Sequence, residues 1–324
     1  MSPNLLQLRL ASILALGSIL NTQGVVARGR GGSGIGKGIG DAIGTLDLPP
    51  IYTAVFALVI VIIIFTLSQF LRAIGRLRTP KLPPDTPPLP YQVGKLFPAF
   101  LLLYTLVFMV YNILYAVFVA YVWGDSGGFL PEGYSAGMSF VAQLSNVILL
   151  AALLAIIAYR ERIQFNPAQS AFDLKSFLDG WLLSTVLILG IAADALEGID
   201  SQNMAIAYQA FLFVASVDMI ASAAMVYIRS QKSGVEDRII RNMMFVVSPF
   251  IFFGALFRII DVGITYNNRD PLFDYSALEL AAVIITGVVS ITVVEIALRM
   301  GAPPKPAKVK EGGSKRGFFG SRKV

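Results

Sequence analysis

Apolar residues in this chain are gathered into seven blocks, at 51–71, 97–123, 138–158, 177–193, 206–228, 242–260 and 277–297. Each is close to the length of about 20 residues at which an α-helix crosses the roughly 30 Å hydrocarbon core of a bilayer. In lipid the backbone must satisfy its own hydrogen bonds, so helix is the expected form. The expected fold class is therefore an all-α membrane protein, a seven-transmembrane-helix bundle. Composition agrees. Of the 324 residues 56% are hydrophobic and 14% charged, against about 25% charged in a soluble domain. Pro49 and Pro50 suit the start of the first helix, where a missing N–H costs nothing.

Charge predicts the direction of threading. Twenty of the 26 Lys and Arg residues fall in the first, third and fifth connections and the C-terminal tail. The second and fourth connections have none, only acids such as Asp125, Glu132, Glu197 and Asp200. Such a bias places the odd connections and the tail in the cytoplasm. Seven spans then put the N-terminus outside and the C-terminus cytoplasmic. The first 27 residues agree independently: a short basic start, an apolar run at 10–20, and Val25 and Ala27 before Arg28 read as a secretory signal peptide, with a mitochondrial transit peptide (Arg9, Arg28 and Arg30 precede the first acid, Asp41) and an uncleaved anchor as the alternatives. The expected organisation is a signal peptide at 1–27, an extracellular Gly-rich segment at 28–50, the helical domain at 51–298 and a basic cytoplasmic tail at 299–324. The expected location is the plasma membrane or an endomembrane reached by the secretory pathway.

The chain has neither cysteine nor histidine. Disulfides, thiolate chemistry, the commonest general base and the commonest transition-metal ligand are thereby removed. Residues 31–38 read GGSGIGKG, but a phosphate-binding loop needs Ser or Thr where Gly38 stands. Gly38-Ile39-Gly40-Asp41 matches a GxGD pattern, yet Asp41 lies outside any span, and paired-aspartate chemistry needs two carboxylates sharing a proton within the bundle. No catalytic constellation remains. The expectation is a non-enzyme with no cofactor and no nucleic-acid partner.

Residues 79–91, TPKLPPDTPPLPY, form a proline-rich stretch suited to a semi-rigid linker or to a polyproline-binding partner. The tail mixes Lys and Arg with Gly, Pro and Ser. Its expected partners are anionic lipids of the bilayer, at roughly 1 kcal/mol per basic residue near the surface, together with a cytoplasmic signalling partner.

Polar residues within the spans are the best pointers to a site, because ionisable groups in lipid are costly. Asp218 falls near the middle of the fifth block, flanked by Ala215, Ala221 and Ser222. It is expected to face the bundle interior and to pair with Asn112 or Ser290. A second group, Gln143, Asn146, Arg258 and Asp261 with Asp194, Tyr208 and Gln209, lies nearer the outside and could line a vestibule. Arg258 and Asp261 could equally form a local i,i+3 ion pair. Glu295 is expected to pair with Arg299 one turn on. Pro249 should kink the sixth span and could act as a hinge.

This layout, with an outer N-terminus, seven spans, a basic inner tail and Pro249 at the place of the sixth-helix kink proline, resembles G-protein-coupled receptors and fungal seven-transmembrane receptor-like proteins. The departures are specific. Tyr159-Arg160-Glu161-Arg162 stands where such receptors carry Asp-Arg-Tyr, and the seventh span has no Asn-Pro-x-x-Tyr. The resemblance implies a receptor-like protein that senses an extracellular or lipidic ligand and signals through its basic cytoplasmic face. A small-solute or ion transporter or channel, with Asp218 and Asn112 on its path, is the alternative. A membrane scaffold is the third reading.

Overall fold

A computed structural model describes residues 48–77, 93–123, 130–131, 133–165, 174–196, 198–267 and 275–300. The segment expected to be a signal peptide, nearly all of the Gly-rich segment, the proline-rich stretch and all but the first two residues of the basic tail lie outside the described residues.

Seven helices long and apolar enough to cross a membrane account for the described chain. They are α1 (Pro50–Leu77), α2 (Leu96–Trp123), α3 (Tyr134–Phe165), α4 (Leu174–Ala195), α5 (Gly198–Lys232), a sixth, composite rod, and α8 (Tyr275–Arg299). The sixth rod consists of α6 (Arg238–Asn242), a π-helical turn (Met243–Val247) and α7 (Ser248–Asn267). No strand occurs among the described residues. The helices run past the apolar blocks. At about 1.5 Å per residue the 35-residue α5 is far longer than the hydrocarbon core, so its polar ends stand beyond the apolar band.

Local chemistry sets the ends. At α1 the Thr53 amide bonds the Pro49 carbonyl at 3.0 Å, and its hydroxyl donates to Leu48 O at 3.2 Å. The turn from α5 to α6 is the tightest. Gly234 adopts φ +71, a left-handed conformation that favours glycine. Its amide bonds Gln231 O, and the Val235 amide bonds Ser230 O, which together make a Schellman stop. Three residues later Asp237 caps α6, accepting from the amides of Ile239 at 2.8 Å and Ile240 at 3.3 Å.

The expected kink at Pro249 takes a particular form. A proline within a helix clashes with the carbonyl four residues back. Here the turn before it widens into π geometry. The Ser248 amide bonds Met243 O, and its hydroxyl donates to the same carbonyl at 2.9 Å. The i→i−5 turn, with Ser248 as its second donor, thus accommodates the proline.

Contacts between α1–α2, α2–α3, α3–α4, α4–α5, α5–α7, α7–α8 and α8–α1 close the helices into a ring. Contacts link residues at matching ends of successive helices, so the helices alternate up and down. At one end, here the tail face, Arg72 grips Glu295 with two bonds of 3.0 and 2.6 Å, and Arg229 meets Glu161 at 2.5 Å. At the opposite face Tyr52 stacks on Trp123 with centroids 3.9 Å apart, and the Tyr115 hydroxyl bonds Glu279 at 2.6 Å. Helix α3 also packs on α5 and is the most enclosed. Of its most apolar stretch 56% is buried, against 17% for α4, which lies at the rim. Apolar side chains also face outward, among them Ile64, Phe65, Phe177, Trp181, Ile188 and Phe253. A bundle apolar both inside and outside has lipid as its solvent.

Without a hydrophobic force between helices in lipid, close packing must hold them. Gly287 on α8 lets α1 approach so closely that a Cβ there would stand 2.5 Å from Ile62 Cδ1. Gly190 on α4 likewise makes room for Gln143 of α3.

Candidate ligand cavity

Polar groups from four of the seven rods converge inside the bundle. A cavity of about 50 Å³ lies between α3, α5, α7 and α8, and its polar lining is Asn146, Ser216, Arg258, Thr286 and Ser290. Leu149, Leu150, Leu212, Ile251 and Val289 supply apolar walls, and Gly254 and Ala255 keep the α7 wall low. Helical spacing puts Ile251, Gly254, Ala255 and Arg258 on one face of α7, which is why one stripe serves the site.

Most polar groups here are already engaged. Asn146 donates through Nδ2 to the Tyr208 hydroxyl at 3.1 Å. Ser216 donates to Leu212 O at 2.8 Å. Ser290 shares a side-chain hydrogen bond with Tyr104 of α2. Arg258 differs: among the described residues its guanidinium forms no hydrogen bond and no ion pair. Its charge is felt by Tyr104, Tyr111 and Tyr208, which surround it from α2 and α5. Thr286 also forms no hydrogen bond among the described residues. The groups left over are the Arg258 donors, which carry a fixed positive charge, and the Thr286 hydroxyl, which can donate or accept.

Above Asn146, Gln143 is buried and donates to Gly190 O at 3.1 Å and to Asp194 at 2.9 Å. The outer polar group read from the sequence is thus partly assembled. Asn146 and Arg258 meet in the cavity, and Tyr208, Gln143 and Asp194 form the hydrogen-bonded layer beside it. Asp261 forms no ion pair with Arg258, so the local i,i+3 pairing does not occur.

Asp218 departs from expectation. The buried face of α5 is formed by Leu212, Ala215, Ser216, Met219, Ser222, Ala223 and Val226. Asp218 stands on its flank, toward α4, with its side chain 37% exposed. Its carboxylate lies 3.6 Å from Lys175 Nζ, which also bonds Asp179 at 3.1 Å. Its partner is neither Asn112 nor Ser290. Burial in lipid favours an ionic partner on the neighbouring helix, and α4 offers one in Lys175. Asn112 is buried on α2, but its amide turns back to its own helix and donates to Phe108 O at 2.7 Å. Glu295 does bond Arg299, at 3.1 Å, and the stronger clamp is Arg72.

Sequence reading missed Ser216, Thr286 and Tyr104. Small hydroxyls in apolar helices are common, so nothing in the chain singled these out. It also missed the deepest ion pair. Arg160 of α3 bonds Asp237 at 2.7 Å, with side chains only 6% and 0% exposed, and Gln164 adds a second donor to the same carboxylate. Below the cavity, toward this pair, Leu153, Ile156, Met219, Met243, Val247 and Val293 are fully enclosed, and Thr66, Gln69, Ser222 and Ser248 are buried in the same half.

No protein-family model matches the chain, and no curated protein and no solved structure matches it.

Proposed function

We propose that the protein is a receptor-like seven-span membrane protein, with its N-terminus outside and its tail cytoplasmic. In this reading it senses an extracellular or lipidic ligand in the Arg258 cavity and signals through the basic tail face. The observation that carries the reading is a mechanical one. Arg258 and Asp237 stand on the same composite rod, one at the cavity and the other in a buried ion pair with Arg160 at the tail end. A ligand that draws Arg258 toward itself loads the rod, and the π turn is the least regular part between the two. Ligands shift such equilibria only by contacting one state better than another, and an arginine without an ion-pair partner among the described residues supports that difference.

The close packing below the cavity favours sensing over transport. A solute path would need polar groups free to meet the solute through the tail half of the bundle, whereas the buried Thr66, Gln69, Ser222 and Ser248 there each donate to a backbone carbonyl.

The test uses Asp237→Asn, which removes the charge that holds Arg160. The variant should associate more than wild type with a G-protein or arrestin-like partner, measured by proximity labelling at the tail in cells. Equal labelling of both, combined with ion flux through the wild-type protein in liposomes, would replace the receptor reading with the transporter one. Protease access to the tail from outside intact cells would overturn the orientation.

A further inference from the structure

We infer that the cavity takes a monovalent anionic group, a carboxylate or an inorganic monoanion of similar size, held by Arg258 and Thr286. This rests on the cavity being the ligand site. It adds what the ligand must present there.

The charge argument comes first. An arginine cannot shed its proton, and a cation within a membrane bundle is expensive unless something answers it. Lys175, Arg72, Arg160 and Arg229 all have carboxylate partners within the protein. Arg258 has none among the described residues, although it lines an interior cavity. Nearby Glu279 is engaged by the Tyr115 hydroxyl at 2.6 Å. A guanidinium is the side chain best shaped to take a carboxylate, through two parallel N–H bonds.

The remaining lining fits the same ligand. Thr286 has an uncommitted hydroxyl, while Asn146, Ser216 and Ser290 have placed donors on Tyr208, Leu212 O and the Tyr104 pair. The lining has no acidic side chain. A cation or a second donor would meet positive charge and spare N–H groups. An acceptor would satisfy them.

Charge narrows the class further. The space of about 50 Å³ is several times the roughly 10–15 Å³ that admits one water. It accommodates a carboxylate head or a halide. A dianion would leave one charge unanswered against a single arginine. The Leu149, Leu212, Ile251 and Val289 walls suit the first methylenes behind a carboxylate.

The experiment uses the full chain, purified in lipid nanodiscs in sulfate buffer of fixed ionic strength. Chloride, formate, acetate and butyrate are titrated in turn, and the melting temperature is read. At least one monoanion should raise it saturably, because a ligand that binds only the folded state stabilises it. Arg258→Lys should need about tenfold more of the same anion, since a point charge replaces the fork. Arg258→Gln should not respond. Thr286→Val should need about two- to tenfold more, the value of one hydrogen bond, and it serves if the arginine variants fail to fold. Affinity rising from formate to butyrate identifies an organic acid as the source. Chloride matching them identifies an inorganic ion. No saturable rise with any monoanion, or an equal rise in Arg258→Gln and Thr286→Val, overturns the inference. The partner-labelling test above is read without added anion, so the two can fail separately.

Discussion

Arg160 on α3 and Asp237 at the start of α6 form an ion pair of 2.7 Å that solvent scarcely reaches, at 6% and 0% side-chain exposure. Asp237 has a second duty, since its other oxygen caps α6. The two duties can be separated. Removing one partner of a buried pair costs about 3–5 kcal/mol, because the other charge is left unanswered. Asparagine caps a helix about as well as aspartate, whereas alanine loses about a further 1 kcal/mol. Denaturation in detergent should therefore rank wild type above Asp237→Asn, and Asp237→Asn above Asp237→Ala. Equal stability of the two variants would deny the cap, and an unshifted Asp237→Asn would deny the pair.

The α1–α8 contact depends on Gly287. A methyl group there would meet Ile62 Cδ1 at 2.5 Å, and overpacking of this kind costs about 1–3 kcal/mol. Only the tip of the isoleucine is in the way. Ile62→Val deletes that tip, so Gly287→Ala should be well tolerated in the Ile62→Val background and poorly tolerated alone. A double-mutant cycle on thermal stability reads the coupling directly. Simple additivity would mean that the two helices do not approach there.

The spans were legible in the chain because lipid imposes one rule on every residue of a crossing segment, and seven long apolar blocks satisfy it. The site was half legible. Arg258 and Asn146 announced themselves by being polar where polarity is costly. Asp218 announced itself in the same way and misled, because depth along a helix does not give the direction of the side chain around it. That direction depends on which neighbour approaches. The short α4, beginning at Leu174, brings Lys175 level with Asp218 and draws it to the flank. The Arg160–Asp237 pair was hidden for another reason. Both residues lie at the edges of apolar blocks, where charges are ordinary, and only the three-dimensional ring buries the two together.

Asp218→Asn is accordingly expected to leave anion-dependent stabilisation unchanged. It removes a carboxylate that is 37% exposed from a Lys175 side chain that is 34% exposed and keeps Asp179. The pair lies within a span, so its loss should lower the melting temperature without touching the anion response. A melt with and without the effective anion checks both statements at once. Loss of the anion response in this variant would return Asp218 to the site.

The π turn gives the sharpest test of the sixth rod. A π turn holds one residue more than the α turn it replaces, so α7 beyond it keeps its face only because the extra residue is present. Deleting Val246 should convert the turn to α geometry and leave Arg258 facing the cavity, whereas deletion within a regular helix rotates everything beyond by about 100°. The deletion has its own cost, since Pro249 would then sit in a regular helix, at about 3 kcal/mol. Pro249→Ala should recover most of that loss in the deleted chain. In the full-length chain the same substitution should matter little, because the wide turn already spares the proline its clash. Stability and anion response of the four proteins decide the matter. If the deletion is as damaging with alanine at 249 as with proline, the wide turn is fixed by its neighbours on α5 and not by the proline.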